Sequence, residues 1–216
     1  MSQDDELGAY RIGRRIAVGG MAEIFEATRR DGAGPPLVLK RLLPQYARDP
    51  EVVRALEHEG ALVLRLAQPC LVHVVDIVAQ AEEPYLVLER IDGVSADVLV
   101  SALAERGERC TLPMALALIL PLLDALAFVH EAKDDDGAPL GIVHRDVPPH
   151  NVLVSRDGGV KLGDFGIARS SMRDARTKTG VIKGKLRYLA PEQVTGSTVD
   201  ERSDLYAVGV LLFELL

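Results

Sequence analysis

One pair of segments constrains this chain more than any other. His144-Arg145-Asp146-Val147-Pro148-Pro149-His150-Asn151 is followed, thirteen residues after Asn151, by Asp164-Phe165-Gly166. Two strand-like runs, Val152-Leu153-Val154 and Val160-Lys161-Leu162, join them and predict a hairpin-like region over 142–163. Two carboxylates and an amide set around such a hairpin offer oxygen ligands for a hard divalent cation and a base for an acceptor hydroxyl. Either short motif alone recurs by chance in many proteins. The ordered pair is much harder to obtain by accident.

Size and charge narrow the remaining options. A chain of 216 residues can bury a sizeable core, as one large domain or two lobes, and its 48% apolar content argues against disorder. A net charge of −7 gives a nucleic-acid partner no electrostatic support. Asp134-Asp135-Asp136 reads as a solvated loop rather than a metal site. Cys70 and Cys110 lack paired spacing, which suits incidental thiols in a reducing compartment. The acidic start Ser2-Gln3-Asp4-Asp5-Glu6 is unlike a signal peptide. The apolar stretch from Met114 to Leu123 is too short to span a bilayer, contains Pro121 and continues into Asp124 to His130 as a buried helix. The expectation is a cytoplasmic protein with no membrane segment in this chain.

Order along the chain predicts sheet first and helices later. Residues 10–18, 22–29 and 36–43 alternate in short runs broken by glycine. Residues 50–67 carry apolar positions at helical spacing (Val52, Val53, Leu56, Leu62, Val63, Leu66) and stop before Pro69. Strands are predicted over 71–79 and 85–89, and a mainly helical pattern from Ser95 onward. The boundary falls near Arg90 to Gly93.

In this order the motifs resemble a protein kinase over nearly the whole chain. Gly19-Gly20-Met21 and Ala190-Pro191-Glu192-Gln193 are similar to the bacterial eukaryotic-like serine/threonine group. The resemblance implies an α+β, two-lobed fold: an N-terminal tail over 1–9, a small antiparallel sheet lobe with one main helix over 10–90, and a larger, mainly helical lobe over 91–216. It implies transfer of the ATP γ-phosphate to serine or threonine hydroxyls of a protein substrate in bacterial signalling, with ATP and Mg²⁺ as cofactors.

The same resemblance assigns roles by position. Asp146 would accept or orient the hydroxyl proton, and Asn151 and Asp164 would hold Mg²⁺. Lys40, closing Leu37-Val38-Leu39-Lys40, would bind the α/β-phosphates with a carboxylate partner on the next helix. Counting back from Gln68-Pro69-Cys70-Leu71-Val72 selects Glu59 over Glu57. Gly19 and Gly20 would keep the phosphate loop thin. Leu88 takes the gatekeeper place, the backbone of Glu89 and Ile91 would pair with adenine, and Ile16, Ile24, Val38 and Leu153 would form apolar walls. Asp204 is placed to brace the catalytic-loop backbone, and Thr177 and Thr179 are candidate phosphosites that could pair with Arg145.

Three departures stand out. Ala17 and Ala22 replace the outer glycines of the phosphate loop. Pro148 stands where the serine/threonine group carries a lysine, while Lys185 stands where it carries a threonine, so the Lys185 ammonium could replace the missing cation or be an ordinary surface charge. The chain stops at Leu216, inside or just after the large lobe's central helix, so a C-terminally truncated domain is expected. The usual partner of Glu192 would then be absent, and Val208, Val210, Leu211, Leu212, Phe213, Leu215 and Leu216 would lose part of their cover unless another chain or a missing segment supplies it. Uncovering a few hundred Å² costs several kcal/mol at about 25 cal/mol per Å². Two competing readings stay open: a truncated pseudokinase acting as a nucleotide-binding or scaffold module, and a small-molecule phosphotransferase. The second would not need Ala190-Pro191-Glu192.

Overall fold

The glycine-broken alternation of the first forty residues becomes an antiparallel sheet. The computed structural model describes residues 6–79, 82–165 and 185–216, without the side chains of Glu59, Lys185 and Leu186. Two units emerge. Among described residues the first holds 6–67, 73–79 and 82–90, and the second holds 68–72, 91–165 and 185–216.

In the first unit the strands are β1 (Glu6–Leu7), β2 (Tyr10–Val18), β3 (Ala22–Arg29), β4 (Leu37–Leu42), β5 (Val74–Val78) and β6 (Tyr85–Glu89), in the order β1-β2-β3-β4-β6-β5. Cross-strand partners share a face. One face gathers Tyr10, Ile12, Phe25, Ala27, Leu37, Leu39, Tyr85 and Val87 into a core cluster. The rings of Tyr10 and Tyr85 meet edge to face at 6.3 Å. The Tyr10 hydroxyl donates to Asp76 Oδ2 at 2.8 Å, and burial together with that carboxylate pushes the phenol up to about 12. The Arg41 guanidinium lies 4.8 Å from the centre of the Phe25 ring and pairs with Glu23 and Glu83 at 3.1 Å each.

Among the described residues this unit also holds the single-turn α1 (Pro44–Ala47) and α2 (Pro50–Leu64). Asp49 caps α2 by accepting from the Glu51 N–H at 2.9 Å, and Pro50 opens its first turn. Val52, Leu56 and Val63 turn the apolar stripe inward. Gly60 lets the helix approach β5, because a Cβ there would lie 2.4 Å from Ile77 Cδ1.

The structure departs from the sequence expectation at both ends of this unit. Residues 6 and 7, assigned to a tail, pair with β2 as Glu6↔Arg11 and Leu7↔Tyr10, because Leu7 packs against the Tyr10 cluster. The strand expected over 71–79 begins only at Val74. Its first part belongs to the second unit, where Leu71 bridges Leu162 in parallel and Lys161 Nζ donates to the Leu71 carbonyl at 3.2 Å.

In the second unit β7 (Gly93–Ser95), β8 (Val152–Ser155) and β9 (Val160–Leu162) form a three-stranded antiparallel sheet. The helices are α3 (Ala96–Glu105), α4 (Leu112–His130), α5 (Pro191–Thr195) and α6 (Glu201–Leu215), with 3₁₀ turns at Pro149–Asn151 and Lys185–Tyr188. Thr111 caps α4 by accepting from the Met114 N–H. Ala115, Leu118, Ile119, Leu122, Ala125, Leu126 and Val129 form its buried stripe. Among the described residues α4 alone is long and apolar enough to cross a membrane. A helical stripe packed against α6 and β9 is the pattern of a core helix.

On α6 the outcome is mixed. Val208, Leu211 and Leu215, expected to lose cover, are buried because their 3–4 spacing turns them toward the interior with Ala207. Val210 and Leu212 are half-buried, whereas Phe213 is 83% exposed and Leu216 61% exposed.

β7 can pair with β8 only because its first residue lacks a side chain. A Cβ on Gly93 would stand 2.0 Å from the Val154 carbonyl oxygen and 2.7 Å from Ser155 Cα, and neither backbone atom can swing aside. Gly93→Ala should lower stability by about 1–3 kcal/mol in a denaturant titration, with the slope unchanged. Stability equal to wild type would mean β7 pairs differently.

Candidate active site

The 142–151 segment is organised by one buried carboxylate. Asp200 caps α6 by accepting from the Arg202 N–H at 3.0 Å, which starts the helix so that Asp204 ends its first turn. There Asp204 Oδ2 accepts from the His144 N–H at 2.8 Å and from His130 Nε2 at 2.8 Å, and Oδ1 accepts from the Arg145 N–H at 2.7 Å. Its side chain is 1% exposed. Charge-assisted bonds of this length are the strong ones. They hold Arg145 at φ 65°, a left-handed conformation that costs a non-glycine residue about 1–3 kcal/mol.

Beyond that turn, Asp146 and Asn151 are buried together. The Asn151 N–H closes on the Pro148 carbonyl at 3.0 Å and forms the 3₁₀ turn. Asn151 Nδ2 donates to the Asp146 carbonyl at 3.0 Å and to Asp146 Oδ2 at 2.8 Å. Both acceptors are oxygens, so the amide nitrogen must face them and Oδ1 faces the other way. The Asn151 carbonyl takes the Gly163 N–H at 2.8 Å, which ties the turn to the residue before Asp164. Asp164, at φ 57°, is the second left-handed non-glycine residue among those described.

His144 fills the space behind these groups. Its ring is fully buried and stacks at 40° on Phe165, with centroids 4.5 Å apart. Burial holds the imidazole below its ordinary value, against the opposing pull of the Asp204, Asp146 and Asp164 carboxylates. The ring is therefore a neutral spacer among three acids.

In the first unit Lys40 lies on β4 opposite Ile24 of β3 and Leu86 of β6, and Val38 lies opposite Leu88. Ile24, Val38, Lys40 and Leu88 thus share the face opposite the Tyr10 cluster. Glu59 lies on α2, one residue before the close approach at Gly60. The β2–β3 turn closes by the Gly19 N–H donating to the Ala22 carbonyl at 2.8 Å, with Gly19 and Gly20 exposed and Ala22 buried. Ile16 is 49% exposed. Glu89 ends β6, where its N–H donates to the His73 carbonyl at 3.0 Å. In the second unit Ile91 is half-buried, and Leu153 lies on β8 between Ser95 and Lys161. Thr177, Thr179 and Gly166 lie outside the described residues, as does the Lys185 side chain.

Two contacts had no sequence signal. His130 ends an apolar helix, and nothing in its spacing points to Asp204. Gln193 joins the Ala190 N–H, at 2.9 Å, to the Arg145 carbonyl, at 3.2 Å. Glu192, expected to lack its partner, accepts from the Ser203 hydroxyl, which holds its carboxyl below the usual range.

The oxygen donors of Asn151 and Asp164 suit a hard cation that takes its other ligands from phosphate and water, since Mg²⁺ rarely uses an all-protein cage. Among the described residues no group of three or more His, Cys, Asp or Glu could hold a metal unaided.

A family model described as protein kinase domain matches residues 10–216. The chain belongs to the protein kinase domain family. The kinase domain is 37% identical over 211 residues to the tyrosine-protein kinase MasK of Myxococcus xanthus, covering 97% of this chain and 33% of MasK. It is 39% identical over 213 residues to the serine/threonine-protein kinase PknL of Mycobacterium tuberculosis, covering 96% of this chain and 49% of PknL. It thus spans about a third to a half of these curated relatives. The crystal structure of the M. tuberculosis PknI kinase domain superposes with a TM-score of 0.76 at 26% identity, covering all of this chain and 77% of that one. The fold is the two-lobed α+β fold of that family.

The neutral His144 has a thermodynamic consequence. Its folded-state value is depressed, so the unfolded chain binds the extra proton first as pH falls. The stability this contributes is complete above the ordinary imidazole value of 6.5 and declines below it, by at most about 1.4 kcal/mol per pH unit. His144→Phe, which keeps an aromatic ring against Phe165, should flatten the stability–pH profile of the wild type below that value. Parallel profiles for the two proteins would mean that folding leaves the proton affinity of His144 unchanged.

Proposed function

We propose that this kinase domain transfers the γ-phosphate of ATP to serine or threonine hydroxyls of protein substrates and uses Mg²⁺. The observation that carries the reading is the Asn151–Asp146 clamp. One amide fixes the carboxylate that would receive the hydroxyl proton and turns its own oxygen outward as a ligand. Asn151 Oδ1 and the Asp164 carboxylate would hold Mg²⁺, which when bound neutralises phosphate charge. Lys40, partnered by Glu59, would take the α/β-phosphates, with the backbone of Gly19 and Gly20 beside them. Glu89 and Ile91 would meet adenine through their backbone, and Ile16, Ile24, Val38, Leu88 and Leu153 would supply apolar contact. Lys185 as a replacement cation, and Thr177 and Thr179 as phosphosites, rest on the sequence pattern.

The choice of serine or threonine is supported by the names of PknL and of PrkC of Bacillus subtilis, against that of MasK. One observation favours a second reading, nucleotide binding with little transfer. Pro148 is buried and offers no cation where the serine/threonine group carries lysine.

Two experiments separate these readings. With γ-labelled ATP and a panel of acceptor proteins, label should appear on serine or threonine and drop at least about a hundredfold in Asp146→Asn, while Mg-ATP binding persists. Label on tyrosine would overturn the acceptor assignment, and no excess over Asp146→Asn would move the protein to the second reading. In calorimetric titrations ATP binding should require Mg²⁺ and fall sharply in Asp164→Ala. Binding that ignores the metal would remove Asn151 and Asp164 as its ligands.

A further inference from the structure

The backbone of Arg145 is held at its two ends by different elements. On the N-terminal side, Asp204 of α6 takes the N–H groups of His144 and Arg145. On the C-terminal side, the Arg145 carbonyl accepts from Gln193 Nε2 at 3.2 Å. Arg145 has φ 65°, a conformation that persists only where its surroundings over-determine it. Asp204 takes no group of the following peptide, whose plane, together with the Asn151 clamp, sets where the Asp146 side chain points.

Gln193 is suited to fix it. The residue is 7% exposed, and both ends of its amide are used. Oε1 accepts the Ala190 N–H at 2.9 Å while Nε2 faces the Arg145 carbonyl. A backbone N–H can only donate and a carbonyl can only accept, so the amide has one orientation. The same side chain therefore caps α5 and steadies the catalytic aspartate's backbone.

We infer that Gln193 is a positioning residue for phosphate transfer, aiming Asp146 through the Arg145–Asp146 peptide and linking that aim to the backbone at Ala190. The inference rests on the kinase reading given above. Two substitutions separate its donor from its acceptor. Gln193→Glu keeps the cap on Ala190 but sets a carboxylate oxygen against the Arg145 carbonyl. Gln193→Lys keeps a donor for that carbonyl but loses the cap.

The test compares transfer rate, KM for ATP, melting temperature and hydrogen–deuterium exchange over residues 144–151 in the three proteins. Gln193→Glu should lower kcat about tenfold or more, leave KM for ATP within about twofold, and speed exchange in that segment. Gln193→Lys should retain most of kcat and protection even where its melting temperature falls. A residue that merely caps α5 gives the reverse ranking, Glu silent and Lys impaired, and that result overturns the inference. Should Gln193→Glu not fold, a tenfold loss of kcat in a folded Gln193→Lys overturns it equally. If the wild type transfers no phosphate, the kinase reading fails, and the exchange ranking alone decides whether Gln193 holds the loop.

Discussion

The backbone turn that leads into Asp146 hangs from the Asp204 carboxylate. Two backbone N–H groups and one imidazole nitrogen converge on it in a site from which water is excluded. A buried anion is tolerable only when its lone pairs are filled, and these bonds do so. In return the carboxylate holds Arg145 in a conformation an arginine otherwise avoids. Strain at Arg145 and burial of Asp204 are thus two halves of one arrangement, and neither would survive without the other.

The acids of this region differ in their surroundings. Asp204 is sealed beneath the loop, Asp146 is clamped by an amide, and Asp164 is half-buried. Between them a neutral imidazole and a phenyl ring supply volume without charge. Three carboxylates around a protonated histidine would make a salt cluster that draws Asp146 inward. Keeping His144 neutral leaves the carboxylates to their separate partners.

Much of this was legible in the sequence because it is local. Alternation at 10–18, 22–29 and 85–89 ends where the strands end, since a strand's faces are written residue by residue. The helix over 50–64 begins at an Asp-Pro pair that supplies both cap and first turn. The Asp146–Asn151 clamp spans five residues, within reach of a motif. What escaped depends on chain distant in sequence. Leu71 and Val74 look alike in a hydrophobic run, and only β9 decides that the first joins the second unit. His130 meets Asp204 across 74 positions, and Gln193 meets Arg145 across 48. No periodicity carries such information.

That placement of residues 68–72 bears on how the domain can be divided. The backbone leaves the first unit at Ala67, serves the second for five residues, and returns at His73 before leaving again after Arg90. The excursion supplies the Cys70 carbonyl to the Leu162 N–H at 2.8 Å and the Val72 N–H to the Leu162 carbonyl at 2.9 Å. A polypeptide beginning at Ile91 would keep every helix of the second unit yet expose the edge of β9, directly ahead of Asp164. Gene fusion or domain shuffling at that junction would therefore deliver a second unit with an open strand edge beside Asp164.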